Sequence, residues 1–257
     1  MMADSSISCA CTSGHTGRSS RPSTPRGRVD RVRRRVYLCA VLLAATAAGA
    51  ACSTGAGATG GTPDPETEQR LETATAPAHR VQVMFDWNMT DRDARFSGRG
   101  VLRADSGYRA RVDLFGPRGE TLAAAVVVDG VMRVAPDAAA AMLPPPAMLW
   151  ATLGVFRRPV DAPLTGTSVT GDEVSLEYAR DRTQWRFRFQ ADRLHAAEWT
   201  DGSGRRTVEL TGGAGYGIPG VGTFRDWTEF RELTLRVTDV EERAAFEPDV
   251  WILPGER

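Results

Sequence analysis

The alternation between Ala94 and Val134 restricts this chain more than any other feature. Ala110, Val112 and Leu114 follow Tyr108 at every second place, while Arg109, Arg111 and Asp113 take the places between. That period of two belongs to a strand with one face on a core and one in water. Phe115-Gly116-Pro117-Arg118-Gly119-Glu120 then holds two glycines and a proline, the chemistry of a turn, before the apolar run Thr121 to Val128. Asp129-Gly130 closes a further hairpin, because that pair tolerates positive φ angles. Four successive strands are expected over the stretch.

Upstream, Val81, Val83, Phe85, Trp87 and Met89 alternate with Gln82, Met84, Asp86 and Asn88 and predict a strand with a strongly apolar face. Phe96 and Leu102 belong to the next one, and Gly98 and Gly100 between them leave room on its inward face or allow a bend. After Val134 the period changes. Ala138 to Leu143 is compatible with helix, Pro144-Pro145-Pro146 stops it, and Ala147 to Phe156 resumes with apolar residues over most of the surface. So apolar a segment must bury itself on the sheet, as a lid or plug.

From Val169 the alternation returns. Val174, Leu176 and Tyr178 face one way, Arg180 to Thr183 turn, and Trp185, Phe187 and Phe189 alternate with Arg186, Arg188 and Gln190. Leu194–Trp199 and Arg205–Leu210 form a further hairpin across Asp201–Gly204. Gly212–Gly222 is a glycine-rich loop, Leu233, Leu235 and Val237 mark one more strand, and Phe246 to Pro254 is a tail. Many antiparallel strands with one helical insertion predict a mainly-β (α+β) single domain over residues 79–257.

The first fifty-one residues differ from the rest. The basic cluster Arg31, Arg33, Arg34, Arg35 precedes an apolar run from Val36 to Ala51, the plan of a secretory signal peptide. The run is about 15 residues, short of the roughly 20 that span a bilayer as a helix. Gly49-Ala50-Ala51-Cys52 places three small residues before a cysteine and resembles a bacterial lipobox, with Gly49 where a leucine is usual. A plain signal peptide or an uncleaved anchor with an incidental cysteine is the other reading. Cleavage before Cys52 removes Cys9, Cys11 and Cys39, so no intrachain disulfide remains and lipid attachment at Cys52 gives the lone cysteine a purpose. It also leaves a mildly acidic chain, which argues against nucleic acid as a partner. Residues 52–78, rich in Gly, Thr, Ala, Pro and acidic residues, read as a flexible tether with a reach of about 25 Å.

Catalytic motifs do not emerge. His79 and His195 are far apart, with no cysteine left to share a metal site, and the basic residues, 32 in number, are all arginine, so the glycine-rich loop has no lysine for a P-loop. No Gly-x-Ser-x-Gly elbow occurs. The chain therefore reads as a binding protein without a cofactor. Apolar candidates for lining a cavity are Phe85, Trp87, Phe96, Leu102, Val112, Leu114, Met148, Leu149, Leu176, Tyr178, Trp185, Phe187 and Phe189. Each is most simply core, and alternation alone does not separate a filled core from an open cavity.

Phe96-Ser97-Gly98-Arg99-Gly100, Tyr108 to Gly119, and Thr121-Leu122 resemble the family of the outer-membrane lipoprotein receptor LolB, within the LolA/LolB-like carriers. Leu176-Glu177-Tyr178 and Gln184-Trp185-Arg186-Phe187 follow in the same order, so the resemblance runs from about Val81 to Leu210. It implies an unclosed antiparallel β-barrel with a short helical lid, whose apolar cavity takes acyl chains of lipids or lipoproteins. It also implies a lipid anchor at the outer membrane, on the periplasmic face, and exchange with a periplasmic carrier protein. Ser53 after Cys52 agrees with outer-membrane sorting. The family's protruding loop corresponds to Phe115, Gly116, Pro117, Arg118 and Gly119, with Arg118 where the family has a leucine that assists transfer to the membrane. Residues from about 212 extend past the resemblance, as a C-terminal extension that would complete or block the cavity. A non-transporting envelope lipoprotein that uses the same sheet to bind a protein is the alternative.

Overall fold

The computed structural model describes residues 61–136 and 140–256. Cys52, the signal segment 1–51 and the start of the expected tether lie outside them. Twelve antiparallel strands make one sheet: β1 (Val81–Asp91), β2 (Ala94–Asp105), β3 (Arg109–Phe115), β4 (Thr121–Val128), β5 (Val131–Val134), β6 (Leu164–Thr170), β7 (Glu173–Arg180), β8 (Thr183–Gln190), β9 (Arg193–Asp201), β10 (Gly204–Thr211), β11 (Val221–Asp226) and β12 (Arg231–Glu242). Among the described residues two α-helices accompany it, α1 (Pro65–Thr75) and α2 (Pro146–Thr152).

The spatial order is β5-β4-β3-β2-β1-β12-β11-β10-β9-β8-β7-β6. The chain thus forms two meanders, joined where β1 pairs with β12. The edges β5 and β6 stay unpaired with each other, which leaves the barrel open. The residues from 212, expected as a C-terminal extension, contribute β11 and β12, which are the middle of the sheet and hold its halves together.

The Ala94–Val134 stretch folds as the four strands β2 to β5. Val81, Val83, Phe85, Trp87 and Met89 of β1 all point into the core, each at most 3% exposed. The glycines opposite them make that possible. A Cβ on Gly100 would lie 2.3 Å from the Phe85 ring, and one on Gly98 would lie 1.9 Å from the Phe115 carbonyl oxygen.

The tether expected over residues 52–78 is corrected, for its described part. Asp64 caps α1 by accepting from the backbone of Glu66 and Thr67 at 3.1 Å, and Pro65 starts the helix. Leu71 is fully buried, and Glu68 and Glu72 turn inward beside it. Ahead of the helix, the Asp64 amide donates to Thr167 Oγ1 at 3.1 Å and Gly61 packs on the Thr167 carbonyl, so this segment covers the β6 edge. The tail covers the other face near the opposite edge: Leu253 packs on Ala124 and Val126, while Arg111 donates to the carbonyls of Val250 and Ile252. No helix among the described residues is long and apolar enough to cross a membrane.

Candidate functional site

Helix α2 decides what becomes of the sheet's concave face. It enters through Pro145 and Pro146 and ends at Gly154, whose φ of 81° suits a C-terminal stop. Between them Met148, Leu149, Trp150, Ala151 and Thr152 are all buried, followed by Leu153, Val155 and Phe156. Phe156 lies edge-on to Phe187 and Phe189, at 4.8 and 5.3 Å between ring centroids. The helix therefore fills the interior as a plug.

The thirteen cavity candidates sort accordingly. Phe85, Trp87, Leu102, Val112, Leu114, Met148, Leu149, Leu176, Tyr178, Phe187 and Phe189 are close-packed in one core and do not surround an open interior. Phe96 is corrected outright. It is 48% exposed, because Ala94–Gly98 project past the end of β3, whose pairing with β2 stops at Arg99. Trp185 is half-buried and lines a cavity.

That cavity, of about 450 Å³, lies in the seam between the β4–β5 turn and α2 on one side and the β7–β8 turn with β8 and β9 on the other. Pro145, Pro146, Ala147 and Trp150 wall one side, the segment Arg157–Ala162 another, and Trp185 and Trp199 a third. The Trp150 indole is fixed by donating to the Asp129 carbonyl at 2.8 Å and by an edge contact with Tyr108. Trp185 and Trp199 oppose each other on β8 and β9, with centroids 5.0 Å apart and planes 2° from parallel. Arg206 lies over the other face of Trp199 at 4.5 Å and is itself held by Asp201 and Asp226. The stack presents a flat, rigid apolar wall. Val160, 91% exposed, stands at the lip.

Two arginines at the rim are paired by α1. Arg157 pairs with Glu72 at 3.4 Å and Asp129 at 3.5 Å while covering the Tyr108 ring at 3.7 Å. Arg158 bonds Glu72 and Gln69, and lies 3.8 Å from Glu68. The hydrogen bond to Glu72 raises the Arg158 pKa further, against a smaller effect of burial. Tyr178 donates to Glu68 at 2.7 Å, and burial, followed by that bond, raises its phenol far above the ordinary range. Phe156 N–H donates to Thr75 Oγ1 at 3.1 Å. Helix α1 thus clamps the segment that forms the cavity wall.

The loop Phe115–Gly119 lines a separate hollow of about 780 Å³ beside the projecting end of the β1–β2 hairpin, together with Trp87. Its other walls are Asp86, Asn88, Ser97, Arg99 and backbone, too polar to keep an apolar chain dry. Arg118 is exposed, and its own backbone N–H donates to Glu120 at 3.0 Å. Among the described residues no cluster of three or more His, Cys, Asp or Glu side chains could hold a metal ion.

Trp150, Trp199 and Val160 were not among the sequence candidates. Trp185 and Trp199 flank one hairpin, but a bulge between Arg188 and Phe189 shifts the register by one residue. Without it Trp199 would pair with Gln184 and point to the face of the sheet opposite Trp185.

No family model and no curated protein matches the chain. Among solved structures, it is similar to a LolA superfamily protein from Nitrosomonas europaea, with 14% identity and a TM-score of 0.50 over 72% of this chain and 96% of that one. A domain assigned to outer membrane lipoprotein sorting, from Vibrio parahaemolyticus, aligns with 9% identity and a TM-score of 0.49 over 73% and 95%. LprF from Mycobacterium bovis aligns with 10% identity and a TM-score of 0.26 over 73% and 97%. The unclosed antiparallel sheet with its buried short helix is the fold of LolA superfamily proteins.

Proposed function

We propose that this chain is an envelope lipoprotein, held at the periplasmic face of the outer membrane through a lipid on Cys52, that binds an apolar chain of a lipid or lipoprotein. The seam cavity carries the reading. Its volume falls in the range of small-molecule sites, roughly 300–1,000 Å³, and tryptophan, proline, alanine and valine form its apolar walls, with charged residues such as Arg157, Arg158, Asp161, Arg180 and Asp181 around them. Each methylene moved from water into it contributes about 0.8 kcal/mol. The chain would lie at the seam and not inside the barrel, because α2 occupies the interior. The LolA-like fold and the lipobox-like Cys52 support a carrier or receptor of the LolB type. Arg118 in the loop counts against membrane insertion by that loop.

The full chain, extracted gently from envelopes and examined by native mass spectrometry, should carry noncovalent acyl lipid, and Trp185→Glu should lose it. Retention of no lipid, together with no displaceable binding of a fluorescent acyl probe where a known carrier binds it, would remove this reading.

The packed core favours a second reading, an envelope lipoprotein that offers its sheet to a protein partner. It gains if the seam stays empty.

A further inference from the structure

A second cavity, of about 510 Å³, opens beyond the C-terminal end of α2. Its floor is apolar: Leu153, Leu194, Leu210 and Ile218 line it, each no more than 9% exposed. Its rim carries Arg193, His79 and His195, and no aspartate or glutamate lines it. In a chain with as many acidic as basic residues, that lining is selective.

Arg193 opens β9, is exposed, and has no hydrogen-bond or ion-pair partner among the described residues. The histidines come from distant parts of the chain, yet both reach this rim. His79 Nδ1 bonds Glu242 at 2.9 Å and His195 Nε2 faces Glu173 at 3.4 Å, so each ring keeps one nitrogen without a protein partner. The glycine-rich loop supplies the remaining wall. Positive φ at Gly212, Gly215, Tyr216 and Gly217 folds it over the opening, and Tyr216 meets the His79 ring edge-on at 5.3 Å.

We propose that this cavity binds an anionic amphiphile, a single apolar chain ending in a carboxylate or phosphate. The chain lies on the leucine and isoleucine floor, and the head accepts from the Arg193 guanidinium. This site is separate from the seam cavity, since the two have no lining residue in common. It does not rest on the function proposed above.

The test titrates the full chain with a dansylated undecanoic acid and its methyl ester, and displaces the acid with alkyl phosphate or alkyl carboxylate of equal length. The acid should bind about tenfold tighter than the ester, and Arg193→Gln should lower acid binding to the ester's level while leaving the ester unchanged. The stronger competitor names the head group. Trp185→Ala, which strips the seam wall, should leave the preference for the acid intact. Equal affinity for acid and ester in the unaltered chain overturns the proposal without any variant. So does loss of acid binding in Trp185→Ala with Arg193→Gln silent.

Discussion

The Tyr178 hydroxyl donates to the Glu68 carboxylate at 2.7 Å, a buried bond that fastens α1 to β7. Burial and this bond hold the folded phenol above its unfolded value of 10.0. A raised pKa contributes stability that is complete below the unfolded value and is lost as pH rises beyond it. The urea midpoint should therefore fall between pH 9 and pH 11. Tyr178→Phe should cost about 2 kcal/mol at neutral pH, the worth of a hydrogen bond to a charged group, and should show a flatter alkaline limb. An equally steep limb in the variant would assign the alkaline loss to other groups.

Helix α1 has a single large apolar anchor, Leu71, which is fully buried. Leu71→Ala should destabilise the chain by about 3 kcal/mol in chemical denaturation, the middle of the range for buried leucines. A segment that behaved as a free tether would give no change.

Gly100 lies against the Phe85 ring with no room for a methyl group. Gly100→Ala should cost about 2 kcal/mol through overpacking, read as a lower thermal midpoint. Gly130→Ala meets no heavy atom within 4 Å and should show no such clash. Similar midpoints for the two would mean that β1 and β2 are farther apart than described.

Removing everything after Thr211 deletes β11 and β12, and β12 is the partner that joins β1 to the second meander. The truncated chain should fail to give a cooperative unfolding transition. A cooperative transition would mean that β11 and β12 are dispensable to the sheet.

Much of the fold was legible in the sequence, and the exceptions have physical causes. Strands with one buried face announce themselves by alternation, as β1, β3 and β8 do. The edge strand β6, with inward Gly166 and Thr167 and few apolar residues, has no such pattern and went unread. Helix α1 lacks an apolar period because its inward face holds Glu68 and Glu72, paired with Tyr178, Arg157 and Arg158. Its one readable sign was Asp64-Pro65 ahead of acidic residues. The site was less legible than the fold. Alternation marks Phe187 and Trp185 alike as inward, and only the position of α2 decides that one is core and the other faces a cavity.

The seam is best tested by tryptophan emission during titration with a saturated acyl chain. Trp150, Trp185 and Trp199 all line that cavity, so an occupant should shift the emission to shorter wavelength. The account predicts a saturable shift, weakened about tenfold or more in Trp185→Ala with the fold retained by circular dichroism. A chain that binds the acyl ligand without any shift, or a Trp185→Ala variant that binds it as well as the original, would contradict the seam as the binding site.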